Sequence, residues 1–307
     1  GAAQFLSPAS VGNGLYQSRA QSNYRSQTMS GNSLYRTIVV GWDGRYKNKN
    51  EDVQNYLGLG GQIISDQVMN GILQTNYATI NAAYHMYFDE KMQKNFSLGL
   101  GASFIQSNLQ LDKLKFYDQF SQGVFINNSQ SISLQNLNSS ASKISVNTGL
   151  LYTKHNENSF VQLSANAFFM SKPELTINNN AAASGFKSLV FFNFEKEVND
   201  NKKTVMAHAS YSNRNNMNQL LVGAAFSLPF GSYYEYVNRI YVGLFYRLGD
   251  AVIPQFSMLM KQYRFGISYD VYSRGMTGAV LNPNSFELSF STSFGQKRSN
   301  NFRTIFD

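Results

Sequence analysis

Residues 77–104 read YATINAAYHMYFDEKMQKNFSLGLGASF, and this stretch decides the fold. From Ala78 to Phe88 every second side chain belongs to one apolar face. After a short turn the alternation resumes from Phe96 to Phe104, with serine and glycine on the other face. A period of two is that of a β-strand, because successive side chains of a strand point to opposite faces. The stretch therefore predicts two strands, each with an apolar face and a small or polar face.

The same period recurs along the rest of the chain, and the helical period of 3.6 almost never does. The 23 glycines also argue against helices, because glycine inside a helix costs about 1 kcal/mol. Fourteen strands are predicted, at residues 19–28, 33–44, 55–65, 74–88, 94–108, 142–153, 159–171, 185–198, 203–213, 217–228, 238–249, 251–260, 262–273 and 284–294.

The composition indicates that lipid covers the apolar faces. The chain has 307 residues, of which 43% are hydrophobic, 14% aromatic and 14% charged, whereas a soluble domain carries about 25% charged residues. A helical span needs about 20 consecutive apolar residues, and apolar runs such as Leu220–Phe226 are much shorter. A chain without cysteine has neither disulfides nor thiolate chemistry.

The period of two along the chain predicts an all-β fold. Fourteen is an even number, as expected for a transmembrane up-and-down antiparallel β-barrel of about 14 strands. Short turns and longer connections occur at opposite ends of the predicted strands, which is the asymmetry of outer-membrane barrels. A soluble sandwich would show a charged outer face, and a propeller would show a repeat of about 40 residues; neither pattern is present. We expect aromatic girdles near the strand ends, at Trp42, Tyr56, Phe88, Phe160 and Tyr272.

Three regions follow from this assignment. Residues 1–18 are predicted to be an N-terminal periplasmic segment, and residues 19–294 the barrel, with a long extracellular loop at 109–141. Residues 295–307 form a basic periplasmic tail containing Lys297, Arg298 and Arg303. Both termini are therefore expected in the periplasm.

Several short motifs occur in a fixed order along the chain. They are SPA at 7–9, NYRSQ at 23–27, LDKLKFYDQ at 111–119, YRLGDAVIP at 246–254, YRFGISYD at 263–270 and FELS at 286–289. Together they resemble the PorP/SprF proteins of Bacteroidetes. The resemblance implies a non-enzymatic outer-membrane protein of type IX secretion and gliding motility.

The resemblance also implies the partners. These are a secreted cell-surface adhesin or its C-terminal domain, and the type IX translocon or periplasmic motor components. The role implied is to bind, anchor or assist secretion of the adhesin. The alternative from another class is an outer-membrane transport barrel for small or hydrophobic solutes.

Charged residues on the polar faces predict an ion-pair network in the lumen, since unpaired buried charge is costly. Arg25 and Glu287 should be neighbours if the last strand pairs with the first. The predicted members are Arg25, Asp43, Arg247, Arg264, Asp270 and Glu287. Such a network would block free conduction; the alternative is a wetter lumen in which the same charges are solvated.

The loop at 109–141 is the strongest external candidate, because loops longer than about 15 residues are usually functional or disordered. It carries four aromatic residues, Phe116, Tyr117, Phe120 and Phe125. They predict either a partner-binding surface or a cap that packs into the barrel mouth.

Other chemistry has little support in the sequence. The three histidines, His85, His155 and His208, have no carboxylate at metal-ligand spacing, so neither a metal site nor a cofactor is predicted. His85 and His208 lie on polar faces and are expected in lumen hydrogen bonds. The net charge of +8 suits the phosphates of lipopolysaccharide or an acidic partner, and the absence of a basic stripe argues against nucleic acid. The tail either docks to a periplasmic partner or is a disordered basic end.

Overall fold

A computed structural model describes residues 6–28, 34–46, 55–89, 91–122, 124–126, 131, 138–170, 185–198, 203–214, 217–231, 238–272 and 284–295. Fourteen of its strands form one closed antiparallel barrel, which confirms the predicted fold class. Each barrel strand pairs with its sequence neighbours, and β16 closes the barrel by pairing with β1. No helix in the described part of the chain is long and apolar enough to cross a membrane.

The barrel strands run as follows: β1 Ser18–Thr28, β2 Leu34–Tyr46, β3 Tyr56–Val68, β4 Leu73–Tyr87, β5 Lys94–Leu109, β8 Ser140–His155, β9 Ser159–Met170, β10 Gly185–Glu197, β11 Thr204–Arg214, β12 Met217–Phe230, β13 Asn238–Arg247, β14 Ala251–Met260, β15 Tyr263–Tyr272 and β16 Asn284–Phe294. Two short strands, β6 Phe120–Ser121 and β7 Val124–Phe125, pair with each other outside the barrel.

The alternation read from the sequence separates the two faces of the wall. On β4, Ile80 is 71% exposed on the outer face whereas its neighbour Thr79 is 5% exposed. On β5, Leu100 is 65% exposed and Ser97 is fully buried. On β4 and β5, apolar side chains therefore cover the outside of the barrel, and mostly small or polar ones point into it.

The two ends of the barrel differ in their connections. The end that carries residues 17 and 295 is called the terminus end, and the opposite one the loop end. Residues 110–139, 171–184 and 273–283, the longest connections, all join strands at the loop end. Residues 261–262 form one of the tight turns at the terminus end.

The expected aromatic girdles are only partly correct. Trp42 and Phe88 are 51% and 64% exposed on the outside. Tyr56 and Phe160 are buried, at 5% and 2% exposure, and Tyr272 packs against a buried cluster that contains Phe245 and Ile253. These three lie at strand ends but on the inward-facing parity, so they cannot reach the lipid.

Candidate functional site

Residues 6–17 run through the inside of the barrel and are called the lumen segment. Its residues Ser7 to Asn13 are all buried. Pro8–Ser10 form one 3₁₀ turn, in which the Ala9 amide donates to Ser7 Oγ at 3.2 Å. The turn packs against β4, β5 and β8. A short, locally satisfied turn therefore fills space that the wall leaves open.

Small inward-facing residues make this fit possible. A Cβ atom at Gly99 would overlap the backbone of Ala9, and one at Gly58 would overlap the carbonyl of Val11. A Cβ atom at Gly149 would overlap the Asn166 side chain and would lie only 3.1 Å from Pro8 Cδ and Ser7 Oγ. Glycine is used where another backbone approaches closely, so the wall of β3, β5 and β8 is shaped to the lumen segment.

A polar network fixes the middle of the segment. His85 Nε2 lies 2.7 Å from the carbonyl oxygen of Val11, and its Nδ1 lies 2.6 Å from Ser97 Oγ. The Tyr56 ring stacks on the imidazole with centroids 4.3 Å apart. The prediction that His85 belongs to a lumen hydrogen-bond network agrees with this geometry.

The position of the lumen segment differs from the prediction that residues 1–18 form a periplasmic segment. Residues 7–13 are buried inside the barrel, whereas Gln17 is exposed at the terminus end; of residues 1–18, only 1–5 lie outside the described part of the chain. The sequence pattern could not show this, because the segment has no strand period. The inward glycines of three strands were the available signal, since they leave room for a second backbone.

Asp43 is the charged anchor of the lumen segment. Its carboxylate accepts two hydrogen bonds from the Arg19 guanidinium, each 3.1 Å long, and one from the Gly12 amide at 2.8 Å. Asp43 is 1% exposed and Arg19 6%. These hydrogen bonds connect β2, β1 and the lumen segment at one buried carboxylate. Arg19 was not among the predicted lumen charges, because it stood at the very start of the first predicted strand.

A second charged group lies nearer the loop end and contains three predicted residues. Asp270 Oδ2 accepts from Arg25 at 3.0 Å and from Arg247 at 2.9 Å. Arg247 also donates to Asp250 at 2.8 Å. Asp270 therefore bridges two arginines that come from β1 and β13.

Glu287 and Arg264 complete the predicted set. Glu287 pairs in register with Arg25, as barrel closure requires, but its side chain accepts from Asn23 Nδ2 at 2.6 Å. Arg264 lines the cavity described below. The six predicted charges thus divide into Asp43, which bonds Arg19 near the terminus end, and five charges carried by β1, β13, β15 and β16. We also find an unpredicted pair at the terminus end, Arg239 with Glu197 at 3.6 Å.

The lumen holds a cavity of about 420 Å³ between these charges and an apolar wall. Its apolar side is formed by inward-facing residues of β10 to β14, among them Phe191, Met206 and Phe245. Its polar side carries Arg25, Asp270 and serines of β15 and β16. Leu6 of the lumen segment lines the cavity as well.

The remaining histidines sit in ordinary polar or aromatic contacts. His208 Nδ1 lies 2.5 Å from Asn193 Oδ1, and Nε2 lies 3.1 Å from Ser210 Oγ. His155 packs on Phe160 with ring centroids 4.6 Å apart. Within the described residues, no group of three or more histidine and acidic side chains is placed to hold a metal ion.

The long loop has local structure of its own. Two 3₁₀ turns, Leu111–Lys113 and Tyr117–Gln119, precede the β6–β7 hairpin. Gln119 is buried, its side chain accepts from the Phe116 amide at 2.9 Å, and its carbonyl accepts from the Ile126 amide at 2.9 Å. Ser131 donates to Asp118 at 2.8 Å. These bonds give residues 116–122, 124–126 and 131 local order.

Four exposed apolar side chains on this loop form what is called the loop patch: Tyr117 at 94% exposure, Phe120 at 44%, Val124 at 67% and Ile126 at 44%. Two of the four predicted aromatics, Tyr117 and Phe120, belong to it, and Phe116 is half-buried. The side chain of Phe125 lies outside the described part, as do Lys297, Arg298 and Arg303. Val124 and Ile126 were missed because only aromatic residues were considered.

Comparison with known sequences gives one family. The chain matches, over residues 2–292, the family described as type IX secretion system membrane protein PorP/SprF. We found no significant match among curated proteins.

Solved structures share the fold at low identity. The toluene transporter TbuX of Ralstonia pickettii has a TM-score of 0.56 at 9% identity, covering 95% of this chain and 93% of that one. The monoaromatic hydrocarbon channel CymD has a TM-score of 0.53 at 13% identity, covering 96% and 94%. The toluene transporter TodX of P. putida has a TM-score of 0.50 at 10% identity, covering 96% and 95%. The likeness concerns the barrel architecture.

Proposed function

This chain belongs to the PorP/SprF family of type IX secretion system membrane proteins, and from that membership we propose that it is a non-enzymatic outer-membrane barrel that holds a secreted adhesin at the cell surface. The adhesin, or its C-terminal domain, binds the loop end of the barrel. The type IX translocon or periplasmic motor components meet the terminus end. The barrel itself is a scaffold fixed in lipid.

The loop patch is the observation that carries this proposal. Tyr117 lies in a 3₁₀ turn, and Phe120, Val124 and Ile126 belong to the hairpin that follows it; each of the four side chains is exposed, whereas Gln119 between them is buried. Exposed apolar groups on an ordered segment mark protein interaction sites, and aromatic residues commonly dominate binding energy there. The alternative of a cap packed into the barrel mouth is disfavoured by the 94% exposure of Tyr117.

The lumen supports a scaffold better than a conduit for protein. The lumen segment crosses the inside of the barrel and is bonded to the wall through Asp43 and His85. A folded or extended cargo cannot share that space without displacing it. We therefore assign cargo binding to the outside of the barrel.

Replacement of the loop patch tests the proposal. Serine at positions 117, 120, 124 and 126 should release the adhesin into the medium while the barrel remains folded. Retention is measured by surface labelling of whole cells with an antibody to the adhesin. The matched control replaces three exposed polar positions of the same loop, Asp112, Lys113 and Lys115, with serine and should retain the adhesin. Normal retention by the patch variant would remove the loop from the binding site.

The proposal requires the loop end to be extracellular and both termini to be periplasmic. Long loops of outer-membrane barrels face outward and short turns face the periplasm. Because the chain has no cysteine, Lys113→Cys and Lys261→Cys give clean single labels. A membrane-impermeant maleimide should label intact cells at position 113 and not at position 261. The reverse pattern would invert the orientation.

Two further contacts belong to the same proposal. The tail residues Lys297, Arg298 and Arg303 are basic, which suits an acidic surface on a periplasmic partner. The excess of positive charge also suits lipopolysaccharide phosphates around the loop end. Binding of the purified protein to lipopolysaccharide should weaken as salt is raised, and salt-independent binding would contradict the electrostatic assignment.

A second candidate, transport of small or hydrophobic solutes, is favoured by the apolar-walled cavity of the lumen. Two of the solved structures that share the fold are toluene transporters, and a third is a monoaromatic hydrocarbon channel. The lumen segment argues against free passage. Large, steady currents through the purified wild-type protein in a planar bilayer would favour transport over the scaffold.

A further inference from the structure

The lumen wall changes character on going around the barrel. On β5 and β9 most inward positions carry serine, glycine, asparagine or glutamine. Strands β10 to β14 contribute large apolar residues to the cavity lining, Phe191, Met206, Leu221, Phe245 and Ile253, beside polar ones such as Asn193, His208 and Ser257. Met206, Phe245 and Ile253 belong to one buried cluster, against which Leu221 packs. Embedding in lipid does not require apolar residues on the inner face, so this wall needs another explanation.

The charges facing the cavity are balanced. Four arginines line it, at positions 19, 25, 247 and 264. Four carboxylates balance them. Asp270 and Glu287 belong to the lining, Asp43 forms an ion pair with Arg19, and Asp250 forms one with Arg247. A charged molecule would lose its hydration without gaining an excess of opposite charge, and such desolvation is expensive. The cavity therefore favours an uncharged occupant.

Two lining residues supply hydrogen-bonding groups that the described protein does not use. Gln21 is 4% exposed and Ser257 3% exposed, and both line the cavity. Gln21 Nε2 and Ser257 Oγ have no hydrogen-bond partner among the described residues. Buried polar atoms are normally satisfied, so each unsatisfied one calls for an explanation.

We propose that the cavity binds a small neutral organic molecule with an apolar body and a hydroxyl, amide or carbonyl group. The apolar body lies against Phe191, Met206, Leu221, Phe245 and Ile253, and the polar group bonds to Gln21 or Ser257. The volume of about 420 Å³ compares with roughly 150 Å³ for a cavity that holds benzene, so a two-ring molecule fits. The site is independent of the proposed secretion role and does not require the ligand to cross the membrane.

Calorimetry with 2-naphthol as the probe tests the site. The purified barrel in detergent should give a saturable one-to-one titration, after the heats of detergent alone are subtracted. Leu221→Trp fills the cavity and should abolish saturable binding. Leu220→Trp places the same side chain on the lipid face and should leave it unchanged. Heat-dependent mobility on a gel shows that each variant is folded.

A second variant keeps the test decisive if Leu221→Trp does not fold. Ser257→Ala removes one hydroxyl and should weaken 2-naphthol binding roughly threefold to tenfold, the value of one hydrogen bond. Naphthalene, which lacks the hydroxyl, should bind wild type and Ser257→Ala equally. Naphthalene-2-sulfonate, which is charged, should bind more weakly than 2-naphthol.

Three results would overturn the proposal. One is a wild-type titration that never saturates and matches detergent alone, as expected if the apolar wall is only packed core. Another is equal binding by folded Leu221→Trp. The third is tighter binding of the sulfonate than of 2-naphthol, which would contradict the neutral class of ligand.

Discussion

The interior of the barrel is occupied differently along the two halves of the lumen wall. Strands β2 to β5, β8 and β9 form the filled half, where glycine, serine and asparagine face inward and the lumen segment occupies the space. Strands β10 to β16 and β1 form the hollow half, where large apolar and paired charged side chains surround a cavity of about 420 Å³. The lumen segment supplies backbone where the wall lacks side chains.

This difference shows that inward-facing residues have to be read as a set. A small inward residue means either an open lumen or room for another part of the chain, and only the neighbouring strands decide which. In the filled half, Gly58, Gly99 and Gly149 lie close to residues of one segment, between Ser7 and Val11. In the hollow half, Arg25, Arg247 and Asp270 satisfy one another. The first half is in contact with most of the segment, whereas the second meets it mainly at Leu6 and Ala9, which pack beside Leu189 and Phe191.

Deletion of residues 1–16 should have the largest effect. The filled half would lose its occupant and leave a space that water can enter, since many of its inward side chains are glycine, serine or asparagine. Wild type should give no steady current in a planar bilayer, and the deletion variant should give long-lived open steps. A folded deletion variant that stays closed would show that the hollow half alone seals the barrel.

Gly99→Leu should displace the lumen segment without removing it. The new side chain overlaps the Ala9 backbone, which cannot move aside while Asp43 holds Gly12. Hydrogen exchange at the amides of residues 7–13 should become markedly faster. The matched control, Ser291→Leu, faces the cavity of the hollow half and should leave exchange in the segment unchanged. Equal protection in both variants would contradict the close fit.

Asp43→Asn should lower the free energy of unfolding more than Asp270→Asn, Asp250→Asn or Asp112→Asn. It leaves Arg19 buried at 6% exposure without its carboxylate, and breaking a buried ion pair costs about 3–5 kcal/mol. Urea unfolding of the refolded barrel in lipid vesicles measures the loss. Asp112→Asn in the exposed loop is the control and should change stability by less than about 0.5 kcal/mol. Similar losses in the two variants would remove Asp43 as an anchor.

Asp270→Asn tests the hollow half and should have a smaller effect. Its side chain is 7% exposed, but its partner Arg25 is 31% exposed and retains water. We expect a loss of about 1.5–3 kcal/mol, the range for hydrogen bonds to charged groups. Asp250→Asn, at 44% exposure, should cost less than about 1 kcal/mol. A larger loss for Asp250 than for Asp270 would reverse the assignment of the bridging carboxylate.

The strands were predictable because their signal is local. The predicted β5, 94–108, differs from the observed Lys94–Leu109 by one residue, since alternation of apolar and polar side chains is visible in a short window. Closure was predictable as well, and Arg25 pairs with Glu287 as expected. The ion-pair partner of Arg25 was not predictable, because Asp270 reaches it from β15, one strand further from β1 than the β16 strand that carries Glu287.

The lumen segment was not predictable from its own residues. It lacks a period; its hydrogen bonds go to Asp43 and His85, and it lies close to Gly58, so these contacts are on three different strands. Those contacts depend on the diameter and tilt of a barrel, which no single strand encodes. Tyr56 and Phe160 were wrongly predicted to face the lipid for a simpler reason. Nearness to a strand end says nothing about which face of the wall a ring occupies.

The contacts between β1 and the strands β15 and β16 set an order of events in assembly. Arg25 and Asp270 are 245 residues apart in sequence, and Asn23 and Glu287 are 264 apart. The entropy of bringing two points together rises with the length of chain between them, so these contacts form after all hairpins. The lumen segment leads directly into β1 and cannot settle independently of it. Closure of the barrel and insertion of the lumen segment are therefore one late step. A barrel arrested before that step would expose the open edges of β1 and β16 together with the lumen segment.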